Sequence, residues 1–152
     1  MPTAGAGPRP DAGRVERAGR GSYTRAVLIY DGDCGFCTTT AMWVKAQLTT
    51  PISVVPWQEI SDLGDLGLTV EDVTTAVYWV DAYGRTARGH TAAGRALLRM
   101  KAPYAWLGPL CLIPPTSWVA AALYRLVARN RMRLPGATAA CALPPAKART
   151  AA

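Results

Sequence analysis

The feature that most constrains this chain is the segment VLIYDGDCGFCTTTAMW at residues 27–43, where a strand pattern changes directly into a helix pattern. Val27–Tyr30 is a continuous apolar run of β-forming residues, which is typical of a strand buried on both faces. From Cys37 onward, apolar residues recur at helical spacing and form one stripe, which contains Ala41, Val44 and Leu48. A strand that leads straight into a helix predicts the start of a β-α-β unit.

The remaining segments extend this pattern. Further strands are predicted at residues 52–57, 74–81 and 86–91, the last two as a hairpin, and helices at 92–100 and from a cap at Thr116 or Ser117 onward. Between them, the acidic residues 58–73 are predicted as a loop with short helical turns, and residues 104–115 are apolar but broken by prolines. The predicted fold class is therefore α/β: a thioredoxin-like three-layer fold (β-α-β, connection, β-β-α) with an additional C-terminal helix.

The two ends of the chain are rich in Gly, Ala, Pro and Arg and contain little that a core could bury. Residues 1–24 and 135–152 are therefore predicted as disordered tails. One domain is expected at residues 25–134, with a helical extension at about residues 104–134. The first 24 residues have no apolar stretch typical of a secretory signal, so a cytoplasmic location is expected.

The strongest chemical motif is Cys34-Gly35-Phe36-Cys37 at the strand-to-helix junction. Free N–H groups and the positive end of the helix dipole stabilise a thiolate at the first cysteine. Cys37 falls on the apolar stripe, so we expect an exposed nucleophile at Cys34 and a buried resolving thiol at Cys37, as thiol–disulfide exchange requires. A CxxC after a strand in a β-α-β pattern predicts a thioredoxin-like redox site, which needs no bound cofactor and no metal.

Two aspartates adjoin these cysteines. Both are expected to belong to the catalytic site, where they tune or orient the thiols. Asp33 is also expected to cap the helix, and Asp31 to act as a proton acceptor for Cys37. Because negative charge disfavours a thiolate, we expect Cys34 to be less acidic than the helix dipole alone would make it.

Other uses of these residues remain open. Half of a metal site would need more ligands, but the candidates His90, Cys111 and Cys141 are scattered. The pair Asp31 and Asp33 after an apolar run also resembles the opening of haloacid-dehalogenase-type phosphatases, in which an aspartate nucleophile works with Mg²⁺. No further part of that phosphatase pattern is found downstream.

The charge of the chain is divided unevenly between its two halves. Up to Asp81 there are six basic residues and all ten acids, whereas eleven Lys and Arg and no acid follow it. Arg125, Arg129 and Arg133 repeat at i+4 on the last predicted helix, which indicates either a solvated face or a peripheral contact with an anionic membrane. The alternative function is accordingly a non-catalytic docking module that contacts a membrane surface or protein partner through residues 104–133. No nucleic-acid ligand is predicted, because no aromatic stacking pattern accompanies the charge.

Three segments together resemble the DCC family of thiol–disulfide oxidoreductases: LIYDGDCGFC, VDAYGRTARGHTAAGRAL and LYRLVARNRMRLPG. The family's Asp-x-x-Cys-x-x-Cys signature matches Asp31, Cys34 and Cys37, and its closing motif matches Tyr124, Ala128, Asn130 and Arg131. The resemblance covers about residues 25–135. It implies a thioredoxin-like fold and a redox-active CxxC acting on a protein or small-molecule disulfide.

The chain departs from ordinary thioredoxins at one position. Those proteins carry a cis-proline before the third strand, facing the disulfide, whereas this chain has Thr74 and Thr75 there. The backbone that binds substrate is therefore expected to differ.

Overall fold

The computed structural model describes residues 17–19 and 22–138. Strands β1 (Arg17–Gly19) and β2 (Ser22–Tyr23) pair in antiparallel fashion inside the segment that the sequence predicts to be disordered. The structure does not describe residues 1–16, 20 and 21 of the predicted N-terminal tail. Residues 139–152 of the predicted C-terminal tail also lie outside the described part of the chain.

A four-stranded sheet forms the centre of the domain, in the order β4-β3-β5-β6. Its strands are β3 (Val27–Tyr30), β4 (Ser53–Pro56), β5 (Tyr78–Val80) and β6 (Thr86–Arg88). β3 is parallel to β4, and helix α1 (Gly35–Gln47) provides the crossover that a parallel pair needs. β5 is antiparallel to both β3 and β6. This mixed sheet with its helices confirms the predicted α/β class and is consistent with a thioredoxin-like fold.

Both faces of β3 are buried, as the apolar run predicts. Val27 and Ile29 pack on one side of the sheet with Val73 of helix α2 (Val70–Thr75), whereas Leu28 packs on the other side with Ala41 of α1. Each fully buried aliphatic side chain of this kind contributes about 1.5–3 kcal/mol to folding. Two apolar layers therefore hold the end of β3, and the cysteines that follow it, in a fixed place.

The connection after β4 contains the short helical turns that the sequence predicts, at Trp57–Glu59 and Gly64–Leu66, and then α2. Helix α2 begins with a capping box, in which the Thr69 hydroxyl accepts from the Asp72 N–H at 3.2 Å and the Asp72 carboxylate accepts from the Thr69 N–H at 2.9 Å. This cap keeps the chain helical through Thr75, so the next strand starts at Tyr78 and not at residue 74 as predicted.

Three helices complete the domain: α3 (His90–Leu97), α4 (Tyr104–Leu112) and α5 (Thr116–Asn130), the last continued by a 3-10 turn at Arg131–Arg133. Helix α4 lies in the proline-broken segment, where the sequence did not predict a helix. Helix α4 packs closely on α3 at Gly94. A Cβ atom on Gly94 would lie only 2.7 Å from the Cβ of Cys111, so the close contact requires glycine there.

The start of α5 differs from the prediction. Pro115 occupies the cap position without a side-chain hydrogen bond, and the Thr116 hydroxyl instead donates to the Ile113 carbonyl at 2.7 Å. The prediction of a Thr116 or Ser117 cap was therefore wrong. Ser117 is buried, because this end of α5 packs on the domain through its small residues.

Candidate functional site

Cys34 caps helix α1. Its backbone is extended, with φ −82° and ψ 112°, and its Sγ accepts from the backbone N–H of Cys37 at 3.5 Å. The prediction that Asp33 caps this helix was wrong, because Cys34 occupies that position. The side chain of Asp33 is exposed, and its backbone N–H donates to Oδ1 of Asp31 at 3.1 Å. The sulfur of Cys34 is therefore the polar atom that faces the free N–H groups at the start of α1.

Cys34 is fully buried, with 0% of its surface exposed, whereas the sequence predicts an exposed nucleophile. The C-terminal segment (residues 134–138) explains the difference. The Thr138 hydroxyl accepts from the Gly35 N–H at 3.1 Å and donates to the Asp33 carbonyl at 3.1 Å, so it bonds to the residues on both sides of Cys34. Gly136 lies against Gly35 at the same helix end. Most of this segment falls within the predicted C-terminal tail, which is why the covering was not foreseen.

The cysteines differ in covalent state. Cys34 is disulfide-bonded, whereas Cys37 and Cys111 are free thiols. The structure therefore does not hold a Cys34–Cys37 disulfide. Cys37 is half-buried and remains beside Cys34 on the first turn of α1.

Burial and the neighbouring charges act on the thiol of Cys37. Burial raises its pKa, the nearby guanidinium of Arg131 lowers it, and the carboxylate of Asp31 raises it. Nη1 of Arg131 lies 3.9 Å from the Cys37 Sγ, and Nη2 donates to the Thr74 carbonyl at 3.0 Å. The net pKa is above the ordinary value, so Cys37 is a neutral thiol at pH 7 and Arg131 limits the cost of ionising it.

Asp31 is buried at the end of β3, with 4% of its surface exposed. Its Oδ1 accepts from the Asp33 N–H at 3.1 Å and from the indole N–H of Trp57 at 3.3 Å. These bonds fix the carboxylate at a distance from which its charge acts on Cys37. The structure thus brings Asp31, Cys34 and Cys37 together, whereas the side chain of Asp33 points to solvent.

Sequence reasoning did not assign Arg131 or Tyr124 to the site. Arg131 is 5% exposed and lies 94 residues after Cys37, so neither spacing nor periodicity could connect the two. The Tyr124 hydroxyl accepts from the Val77 N–H at 3.0 Å, beside the start of β5. The one available signal was the closing motif of the family resemblance, to which both residues belong.

The remaining predicted residues lie elsewhere. His90 is the first residue of α3, and Cys111 is half-buried in α4. Cys141 lies outside the described residues. Within residues 17–19 and 22–138, no group of three His, Cys, Asp or Glu side chains is placed to hold a metal ion.

The C-terminal helices α4 and α5 are too short or too bent to cross a membrane as one straight helix. In the described part of the chain, no single helix is long and apolar enough to cross a bilayer. Tyr104–Leu112 and Thr116–Arg133 meet the length and composition requirements only as a pair, and they are bent by 103°.

A mixed sheet whose first buried strand leads into a helix capped by a CxxC cysteine is typical of thioredoxin-like proteins. The family model described as DCC1-like thiol-disulfide oxidoreductase matches residues 28–137 of this chain. The chain therefore belongs to the DCC1-like thiol-disulfide oxidoreductase family, as the resemblance predicted. The match spans both cysteines of the CxxC, Arg131 and most of the C-terminal segment. No curated protein and no solved structure matches the chain.

Proposed function

We propose that this protein is a thiol–disulfide oxidoreductase in which Cys34 is the nucleophile and Cys37 resolves the mixed disulfide. The observation that carries this proposal is the position of the Cys34 sulfur at the N-terminus of α1, within 3.5 Å of the Cys37 N–H. Helix-end N–H groups and the dipole stabilise a thiolate at that atom, which is the reactive form of cysteine.

The exchange proceeds in two steps. The reaction starts after a donor thiol has reduced the disulfide of Cys34. The Cys34 thiolate then attacks one sulfur of a substrate disulfide, forms a mixed disulfide and releases the other sulfur as a thiolate. Cys37 then loses its proton to Asp31, directly or through water, and attacks the Cys34 sulfur. The second substrate thiolate leaves, so the substrate gains two electrons and the two protein thiols become a disulfide. Arg131 supports the second step, because its charge stabilises the Cys37 thiolate.

Substrate reaches Cys34 only when the C-terminal segment moves aside, because that segment covers the sulfur. Thr138 holds it with two hydrogen bonds to the flanking residues, and each bond of this type contributes about 1 kcal/mol. The free-energy cost of breaking these two hydrogen bonds is small enough for the binding of a substrate to offset it. The Thr74 carbonyl, next to the position of the thioredoxin cis-proline, accepts a hydrogen bond from Arg131.

The test uses a variant that cannot resolve the mixed disulfide. Cys37→Ser/Cys141→Ser is incubated with oxidised glutathione, and its intact mass and tryptic peptides are measured. We expect one glutathione on Cys34 at a rate well above that of Cys111, which serves as an internal control. A matched Cys34→Ser/Cys141→Ser variant should modify Cys37 more slowly, because the pKa of that thiol is raised. Equal modification of Cys34 and Cys111 would refute the nucleophile assignment.

A second function is supported by the surface of α4 and α5. Helix α5 buries the small residues Ser117 and Ala121, whereas its larger Val119, Leu123 and Leu126 are 61%, 57% and 58% exposed. Trp106 of α4 and Trp118 of α5 are 75% and 70% exposed. A helix that turns its apolar stripe outward presents a docking surface, because an exposed patch of this kind is uncommon in a protein without a partner. We call these five large side chains the docking surface.

We propose that the docking surface contacts an anionic lipid bilayer at the cytoplasmic face of a membrane. Charge complementarity favours this partner, since no acid follows Asp81 and Arg125, Arg129 and Arg133 are exposed on or just after α5. Each such cation contributes about 1 kcal/mol near an anionic leaflet, and tryptophan prefers the interfacial region.

Vesicle sedimentation tests this second proposal. The protein should bind vesicles that contain phosphatidylserine, bind less as salt rises, and bind neutral phosphatidylcholine vesicles weakly. Trp118→Ser should lower binding several-fold, and Thr49→Ser, far from the docking surface in the chain, should leave it unchanged. Self-association of the protein without lipid, or equal binding by the Trp118→Ser variant, would contradict a membrane contact.

A further inference from the structure

The turn that follows β4 holds the loop that carries Asp31. Strands β3 and β4 are parallel and end side by side, and the chain then forms the 3-10 turn Trp57–Glu59, which we call the β4 turn. The Gly32 N–H donates to Oε1 of Gln58 in this turn at 3.2 Å. A Cβ atom on Gly32 would lie 2.7 Å from that oxygen and 2.7 Å from the Cβ of Pro56, so a larger residue would not fit there. The loop after β3 is therefore held closely against the end of β4.

Trp57 is the residue of the β4 turn that reaches Asp31 itself. Its indole N–H donates to Oδ1 of Asp31 at 3.3 Å, and its half-buried ring packs against the core cluster that contains Val27 and Ile29. A side chain that is held by packing presents its polar group at a fixed position. The Asp33 N–H donates to the same oxygen at 3.1 Å. Two donors on different segments thus fix Oδ1.

The second carboxylate oxygen of Asp31 has a different environment. Among the described residues, both hydrogen bonds to this carboxylate end on Oδ1, and none ends on Oδ2. An ionised carboxylate has acceptor sites on both oxygens. Asp31 is buried, and its charge acts on the thiol of Cys37. With Oδ1 fixed by its two donors, Oδ2 is the oxygen that is available to the Cys37 proton.

We infer that the β4 turn positions Asp31 for the resolving step: the Trp57 N–H holds Oδ1 and Gln58 holds the loop, so that Oδ2 takes up the proton of Cys37. This inference rests on the proposed function, in which Cys37 attacks the mixed disulfide. The Cys37 sulfur forms its bond to the Cys34 sulfur, and the bond from Cys34 to the substrate breaks. The substrate leaves as a thiolate with the electron pair. The proton passes to Oδ2, directly or through water, and from there to solvent.

Loss of the indole N–H should slow this step for two reasons that act in the same direction. The carboxylate becomes free to rotate, and a misplaced group of this kind can cost up to about a hundredfold in rate. A buried carboxylate that loses a donor is also less favoured in its charged form, which is the form that accepts a proton. Trp57→Phe removes the N–H and keeps an aromatic ring in the core. Because the Asp33 N–H still holds Oδ1 in this variant, we expect a loss of about tenfold, below that limit.

The two steps of the exchange can be measured separately with an aromatic disulfide, dithiobis(nitrobenzoate), whose thiolate product is coloured. In a Cys111→Ser/Cys141→Ser chain that has been reduced and freed of reductant, Cys34 and Cys37 are the only thiols. Attack by Cys34 releases the first coloured thiolate at a rate proportional to the reagent concentration. Attack by Cys37 on the mixed disulfide releases the second at a rate independent of that concentration. Stopped-flow absorbance follows both releases, and the second reports the resolving step.

Trp57→Phe should slow the second release about tenfold and leave the first unchanged, because Cys34 does not transfer a proton to Asp31. Trp43→Phe is the matched control: this ring is 44% exposed on α1 and stacks edge-on against Tyr104, so both releases should keep their rates. Urea titration measures the free energy of unfolding of each variant in parallel.

A double-mutant cycle tests whether the β4 turn acts through the carboxylate. Asp31→Asn should slow the second release, and the addition of Trp57→Phe should then cause no further slowing, because the two changes remove one interaction. Gln58→Ala, an exposed change in the same turn, should cause a smaller loss that also disappears in the Asp31→Asn chain. If Trp57→Phe does not fold, Gln58→Ala carries the test, and an unchanged second release in that variant overturns the inference.

The outcomes distinguish this inference from the proposed function. Release of a single thiolate by the wild type, with no disulfide between Cys34 and Cys37, would overturn the proposed function and the resolving step with it. Two releases at wild-type rates in Trp57→Phe would overturn the inference and leave the exchange reaction intact. Equal slowing of both releases would also overturn it, because that result indicates a general loss of structure. Slowing that persists in the Asp31→Asn chain would overturn it as well, since the turn would then act by another route.

Discussion

Replacement of Arg131 by glutamine tests the electrostatic description of the site most sharply. Arg131 is buried, and its guanidinium contacts both the Cys37 sulfur and the Thr74 carbonyl. Glutamine keeps much of the side-chain length and a hydrogen-bond donor but removes the positive charge. Because that charge favours the thiolate, its removal should raise the pKa of Cys37 above its already raised value.

The size of the effect follows from the contact distance. Two unit charges 3.9 Å apart interact with about 4 kcal/mol at an effective dielectric constant of 20, which is an upper bound. Cys37 is only half-buried, so solvent screening reduces this to about 1–2 kcal/mol. At about 1.4 kcal/mol per pKa unit, the pKa of Cys37 should rise by about one unit.

The assay measures the rate of iodoacetamide alkylation against pH in a chain whose only cysteine is Cys37, with the other three replaced by serine. Arg129→Gln, two residues earlier and exposed on α5, is the matched control and should leave the profile unchanged. Arg131→Lys should give a value between those of the wild type and the glutamine variant, because lysine keeps the charge without the guanidinium geometry.

An alkylation profile of Arg131→Gln that coincides with that of the wild type, or that moves to lower pH, would refute this description. The free energy of unfolding of each variant is measured in parallel. An unfolded variant would be alkylated fast at every pH. The unfolding measurement identifies such a variant, and it is then excluded from the comparison.

Three further outcomes are expected. Tyr124→Phe leaves the Val77 N–H without its partner and should lower the free energy of unfolding by about 1–3 kcal/mol in urea titrations, whereas an unchanged midpoint would contradict the contact. Asp72→Asn weakens the capping box with Thr69 and should lower the free energy of unfolding by about 1 kcal/mol. The Thr69 N–H holds the pKa of Asp72 below its usual value, so the stability that this carboxylate contributes is lost as pH falls. The difference between the variant and the wild type should therefore vanish in acid. The raised pKa of Cys37 makes the folded state hold its proton more tightly, so its contribution is full below about pH 8.5 and lost at higher pH. The alkaline decline in stability should accordingly be smaller in Cys37→Ser.

The sheet and the position of the CxxC were predictable because they depend on local patterns. The buried run at Val27–Tyr30, the hairpin at β5 and β6 and the helix after Cys34 each follow from periodicity or turn chemistry over a few residues. The strand predicted at residue 74 failed because the capping box at Thr69 extends α2 beyond the point that strand propensity suggests.

The parts of the site that were missed come from the far end of the chain. Arg131 reaches Cys37 from 94 residues away, and Thr138 reaches Gly35 from 103 residues away. No spacing rule connects residues so distant, and a lone arginine or threonine in a basic, proline-rich segment resembles solvated surface. The contacts of the C-terminal segment also explain why Cys34 is buried and not exposed as predicted. A cysteine at the start of a helix is open to solvent unless another segment covers it, and here the C-terminal segment does so.

The most direct test of the proposed exchange reaction is a redox titration of the full chain in glutathione buffers, with thiol labelling and mass spectrometry at each potential. We expect Cys34 to pass reversibly between a thiol that can be alkylated and a disulfide in a two-electron step, with about 30 mV for each tenfold change in the ratio of disulfide to thiol. Cys111 should remain alkylated throughout as the internal control. Labelling of Cys34 that is independent of potential, in either direction of the titration, would contradict a redox-active Cys34.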